Sequence, residues 1–233
     1  MQVVQIWRYP VKSLGGEPLK STRFELGGIP FDRHVAVLDS DPLREGKLLT
    51  GRRQHQLLGY YAVVRDDTVF VRTPSGAEHD ARGGGWLREL GEELGQPVLL
   101  RSMDEPMHDD DDILVLSAAS LNALAVEYGA FVNPIRFRPN VIVDGPNLGA
   151  FDELEWPGSE FSIGDAVLQV SKMCERCALT TVDPETLVSD PAFLKLVVQR
   201  HDGRFGVYCK VLRPGDVRIG DEWAVRVSSE VRV

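Results

Sequence analysis

Cysteine is scarce in this sequence: Cys174, Cys177 and Cys209 are the only three in 233 residues. Three cysteines build no disulfide framework, so the close pair Cys174 and Cys177 reads as thiol or metal chemistry in a reducing compartment. Long apolar runs are also missing, and none approaches the roughly 18 residues of a membrane-crossing helix. The opening MQVVQIWRYPVKS lacks a basic segment followed by an apolar stretch, so no secretory leader is expected and the protein reads as cytoplasmic. Net positive charge is absent as well. A formal charge of −9 disfavours nucleic acid or an anionic membrane as partner, and any anion bound here must find a local basic pocket. What remains is ordinary globular composition, 43% hydrophobic and 26% charged, in a chain long enough for one large core or two smaller ones packed together.

Strand-like segments dominate, at 3–7, 35–40, 57–65, 68–73, 97–102, 140–145, 166–172 and 208–212. They are short, β-branched or aromatic, and bounded by Gly, Pro, Asp or Ser. Three helices are expected among them. One covers 85–95 and ends at Gly95; one covers 118–128 between a Ser117 N-cap and Gly129; one covers 191–200, with Asp190 as cap and Pro191 in its first turn. Leu121, Leu124, Ala125 and Tyr128 recur at helical spacing, so the second helix covers one side of a core. Many short strands with few helices suggest barrels or sandwiches. FSIGDAVLQV (161–170) and VRIGDEWAVRV (217–227) share Ile-Gly-Asp before an alternating apolar run, each a tight turn launching a strand. The acidic stretch 104–112, DEPMHDDDD, is dense in mutually repelling charge and reads as an exposed linker. It lacks the spaced ligands and turn glycine of a calcium loop. The domain boundary falls there, giving 1–103 and 104–233.

Cys174-Glu175-Arg176-Cys177 is the most informative tetrapeptide, two thiols on one tight turn after a strand ending near Lys172. Three readings compete. Structural zinc needs four ligands, and with no second C-x-x-C it would have to recruit Cys209 and His201. A dithiol redox motif usually opens a helix, whereas the next residues, ALTTVDP, form a strand-like run into a turn. The third is a single thiolate ligand to a soft metal, favoured by the neighbouring Arg176. Cys209, in GVYCKVL, reads as a buried structural residue. Basic residues sit in unusual places: Lys12 beside Ser13 after the first strand, Arg33 at the end of a turn, Arg52 and Arg53 after Thr50-Gly51, and Arg136 and Arg138 before Asn140 and a strand. Arg forks and a Lys point charge could clamp a phosphate and the polar edge of a pterin, though each alone better suits a solvated surface charge, and only their combination with the thiol makes the case.

The succession YPVKSLGG, FDRH, LSAASLNAL, RFRPNVIVDG, FDELEW, IGD and CERCALTTVDP resembles, in that order, the MOSC family of proteins, in which an N-terminal MOSC β-barrel domain precedes a MOSC domain. That family includes the mitochondrial amidoxime-reducing component and the C-terminal domain of molybdenum cofactor sulfurase. The resemblance covers nearly the whole chain, with RFRPN and C-x-R-C-x-x-T-T-V-D-P its most specific parts. It implies a mainly β fold of two packed barrel-like domains with a few short helices. It also implies a molybdenum-pterin cofactor, with no pyridoxal phosphate needed.

By the same resemblance Cys177 is the molybdenum ligand and catalytic centre, with Cys174 behind it. Lys12, Ser13, Arg33, Arg136, Arg138 and Asn140 become expected pterin or phosphate contacts, joined by Ser117 at a helix start, Arg176, Thr180 and Asp183, with Thr181 shaping the loop around the metal. The activity implied is reduction of N-hydroxylated or related oxygen-bearing small molecules. Three cysteines cannot supply an iron–sulfur cluster and Cys177 together, so electrons are expected from a separate flavin or iron–sulfur reductase. The alternative is a cofactor carrier or sulfur-transfer module without turnover. A barrel that has lost its cofactor fits less well, because Cys177, Lys12, Arg33 and Arg138 are all present. Two departures stand out: Glu185-Thr186-Leu187 where the family often has Asp-Thr-Gly, and Met173 where a Pro or small residue is expected.

Overall fold

A computed structural model describes residues 1–43 and 46–226; the second Ile-Gly-Asp stretch is therefore described up to Arg226. The protein is mainly β, with three α-helices among the described residues, α1 (Gly84–Leu94), α2 (Ala118–Tyr128) and α3 (Pro191–His201). An eight-stranded sheet runs in the order Trp223–Arg226, Glu160–Ile163, Ala166–Glu175, Arg204–Arg213, Ile113–Ser117, Val141–Asp144, Gln2–Arg8, Glu17–Leu19. Among the described strands of this sheet, Ile113–Ser117 and Val141–Asp144 are the pair that runs parallel, with α2 in the connection between them, as a parallel pair requires. The sheet curls back on itself, because Gln2 bridges to Glu222 and Val3 N–H donates to Asp221 O at 2.9 Å. Inside lies an apolar core in which Val3 and Ile6 meet Val115, Val141, Leu168, Val207 and the ring cluster Trp156, Phe161 and Trp223.

A second core sits among smaller sheets, Val35–Asp39 with Val98–Ser102 and the meander Tyr61–Arg65, Thr68–Arg72, Glu78–Asp80. Trp86 and Leu90 of α1 plug it, together with Leu57, Tyr60 and Val71. A third cluster holds α2 and α3 to the outside of the large sheet through Leu116, Leu124, Phe137, Phe193 and Phe205. Among the described residues no helix is long and apolar enough to cross a membrane.

Several boundaries differ from the sequence reading. Residues 57–65 are not one strand: His55–Gly59 forms a 3-10 turn and the strand starts at Tyr61. Leu57 and Leu58 are both buried, and a one-sided strand cannot turn two neighbouring side chains inward. The strand expected to end near Lys172 continues to Glu175, so Cys174 lies on the strand and not on the turn with Cys177. Both Ile-Gly-Asp stretches are turns into strands, with Gly164 and Gly220 at φ 51° and 93°.

Candidate functional site

The loop after the first strand is fixed by one buried carboxylate. Asp32, fully buried, accepts Tyr9 N–H at 2.6 Å and Asn140 Nδ2 at 3.1 Å, and pairs with the Arg33 guanidinium. Arg33 Nη2 reaches Arg138 O at 3.2 Å. Arg33 and Arg138 both flank the Tyr9 ring, their guanidinium carbons 5.0 and 4.2 Å from its centroid. Ser13, Arg33 and Arg138 all stand in the left-handed region, at φ 70°, 59° and 55°. Such strain in non-glycine residues collects where a site must be pre-organised.

Arg138 is the least settled of these cations. Its Nη1 donates to Leu14 O at 2.5 Å, whereas its Nη2 is buried without a partner. Burial and the neighbouring Arg33 push its pKa down to about 10. Arg136 is spent largely on structure, donating to Thr180 O and Thr181 O at 3.3 and 3.1 Å and pairing with Asp183 at 2.8 Å; its Nε remains without a partner.

These groups and the two thiols line one cavity of about 520 Å³. Its wall includes Lys12, Ser13, Arg33, Arg52, Arg136, Arg138, Asn140, Cys174, Arg176, Cys177 and Thr180. Cys177 is partly exposed, in extended backbone just before the 3-10 turn Ala178–Thr181, and Thr180 clamps that turn by donating its Oγ1 to Cys177 O at 2.9 Å. Cys174 is buried, and burial pushes its thiol pKa up, against the opposing pull of Arg176 and the Tyr208 hydroxyl. Arg176 does not hang free beside Cys177. It donates to Phe205 O at 2.8 Å and Phe137 O at 3.2 Å and lies over the Phe137 ring. Gly206, at φ 75°, permits this fit, since a Cβ there would come within 2.8 Å of Val115 O.

Two expected site residues lie off the wall. Ser117 is fully buried and caps α2, its Oγ accepting Ser120 N–H at 3.1 Å. Asp183 accepts Glu185 and Thr186 N–H at 3.0 Å each, besides its pair with Arg136. The zinc alternative does not assemble: Cys209 belongs to the large-sheet core, and His201 pairs with Glu127 at 2.7 Å and stacks on Phe151.

Sequence reasoning missed two groups at the site. Arg52 stood among the basic residues, but nothing placed it with the thiol; it lines the same cavity wall as Cys177 and pairs with Asp109 at 2.9 Å. Asp109 was hidden in the acidic run. That run is not a free linker: Asp109, Asp110 and Asp111 line the cavity, and Asp109 meets Lys12 at 2.7 Å. Burial works to raise the Asp109 carboxyl, but Lys12 and Arg52 outweigh it and hold the pKa down.

Barrel-like sheets whose cavity gathers six basic side chains, four carboxylates and a partly exposed thiol define the class: a mainly β protein with a polar, cysteine-lined cavity. The MOSC domain family matches residues 103–224, and the MOSC N-terminal beta barrel domain family matches residues 1–84. The chain belongs to the MOSC domain family. It is 26% identical to mitochondrial amidoxime reducing component 2 of Bos taurus, over 94% of this chain and 81% of that protein. It is 27% identical to mitochondrial amidoxime-reducing component 1 of Homo sapiens, over the same shares. Molybdenum cofactor sulfurase of Drosophila grimshawi is 25% identical over 96% of this chain but 34% of its own length. The solved YuaD protein from Bacillus subtilis matches with a TM-score of 0.53 over 96% of this chain and 94% of that one, at 19% identity, a likeness of fold.

Proposed function

We propose that this protein binds a molybdenum-pterin cofactor through Cys177 and the surrounding basic wall, and reduces N-hydroxylated or related oxygen-bearing small molecules. Electrons come from a separate flavin or iron–sulfur reductase, and the protein works in the cytoplasm. The observation that carries this reading is the gathering of Lys12, Arg33, Arg52 and Arg138 around a single partly exposed cysteine in one cavity. The chain's residues fit such a group: Arg138 Nη2 and Arg136 Nε are buried donors without acceptors, which an anionic ligand supplies.

When bound, this cofactor supplies two-electron oxygen-transfer chemistry. The chain contributes the setting. Cys174 is buried and its thiol pKa is pushed up, so the partly exposed Cys177 is the thiol open to a metal. Arg52 stands on the cavity wall with Cys177, and Arg176 braces that loop from behind through the Phe205 and Phe137 carbonyls. Lys12, Ser13, Arg33, Arg138 and Asn140 take the phosphate and pterin edge, and the partial exposure of Cys177 leaves an approach for a small substrate.

The test is turnover. Full-length protein made in a cofactor-producing host is expected to oxidise reduced viologen when given a hydroxylamine-type substrate. No turnover, together with release of cofactor to an apo-enzyme, would replace this reading with that of a carrier.

A further inference from the structure

The acidic segment crosses the cavity wall tied at both ends. On one side Met103 N–H donates to His34 O at 2.8 Å and Met107 N–H to Arg33 O at 2.9 Å. On the other, the Asp112 carboxylate accepts Val211 N–H at 2.9 Å, immediately before the central strand Ile113–Ser117. Between these anchors the chain forms neither strand nor helix. Its contacts there are polar: Asp109 bridges Lys12 and Arg52, Asp110 pairs with Lys172, Lys12 also donates to Met107 O at 2.6 Å, and His108 Nε2 lies 3.2 Å from Gly27 O.

Lys12 explains why an anion sits there. Its side chain is only 14% exposed, so it has lost most of its hydration, and burial pulls its pKa down while Asp109 pulls it back up. A cation in that position needs a negative partner, and the partner supplied by the fold is 45% exposed and carried on a loop. Of the two cations that Asp109 bridges, Lys12 was assigned above to the ligand's anionic group, and Arg52 stands on the same wall.

We infer that Asp109 is an internal stand-in for that group: the segment Asp109–Asp111 is a strap that rests on Lys12 and Arg52 and must lift for an oxyanion to bind. The inference rests on the cavity being the cofactor's anion site and adds its regulation. The strap competes with the ligand, so it offsets part of the wall's positive charge without cofactor and apparent affinity falls by the fraction of time the strap is down. Anchors at both ends let the middle move without unfolding the strand that follows.

The test uses the full chain from a host unable to make the cofactor, with inorganic phosphate as probe in calorimetric titrations. Asp109→Asn is expected to bind phosphate about fivefold more tightly than the wild type, the scale of one partly exposed ion pair. Lys12→Ala should weaken phosphate binding, and amides of Asp109–Asp111 should exchange faster in phosphate-saturated wild type. Unchanged or weaker binding in Asp109→Asn, with Lys12→Ala still weakening it, would overturn the strap and leave the anion site standing. Phosphate binding indifferent to Lys12→Ala would overturn the anion site itself.

Discussion

At the scale of single residues, Glu153 and Ser117 carry the clearest consequences outside the cavity. Glu153 is fully buried; its Oε2 accepts Ser120 Oγ at 2.6 Å and its Oε1 has no partner, and burial raises its pKa to about 6. A carboxyl raised in the folded state stabilises the protein fully below its ordinary range near 4.5, and that contribution is lost as pH climbs through 6. Between those limits the wild type should therefore lose roughly 2 kcal/mol relative to Glu153→Gln, read as a flattened stability–pH profile in denaturant melts. Parallel profiles would mean that Glu153 keeps its ordinary pKa. Ser117→Ala removes the cap of α2 and should cost about 1 kcal/mol while leaving cofactor content unchanged. A drop in cofactor content with an unchanged melt would instead restore Ser117 to the ligand contacts that the family resemblance suggested.

At the scale of elements, what was legible follows from how local the determinants are. The three helices could be read because caps and glycine stops are local: Ser117, Asp190 with Pro191, Gly95 and Gly129 all act where expected. The central strand Ile113–Ser117 went unread because its five residues, all buried, show no alternation and follow directly on the acidic run. The acidic run itself misled. Like charges repel only while unpaired, and the cations that pair with them lie far away in sequence, at Lys12, Arg52 and Lys172. The gathering of Lys12, Arg33 and Arg138 around a cysteine could be anticipated only by resemblance, since no spacing rule joins residue 12 to residue 177. The loop after Val-Asp-Pro makes a prediction at this scale. Leu187, standing where the family often has glycine, keeps the left-handed conformation at φ 58° and packs toward Gly59. Leu187→Gly should relieve that strain and raise stability by about 1 kcal/mol in a denaturant melt. A loss instead would show that the contact at Gly59 outweighs the strain.

At the scale of the molecule, the sequence suggested a division at residue 104, and strand pairing crosses it. Gln2–Arg8 pairs with Val141–Asp144, and Ser21–Phe24 pairs with Gly215–Arg218. Val3, Ile6, Phe24 and Ile29 complete the core of the large sheet. A fragment of 104–233 alone should therefore show no cooperative melt, and a sharp transition in that fragment would mean that the first strand is dispensable. Charge is divided in a similar way: the chain is acidic overall at −9, yet six of its 26 Lys and Arg side chains line one cavity. That contrast suits a protein that stays soluble and repels polyanions while admitting one small anionic group.

The measurement that bears most directly on this account is molybdenum and pterin content, by elemental analysis and pterin fluorescence, of protein from a cofactor-producing host beside its Cys177→Ala variant. Near-stoichiometric molybdenum in the wild type, lost in a variant that melts normally, is the predicted result. Molybdenum and pterin absent from both proteins, or molybdenum retained at full level without Cys177, would contradict it.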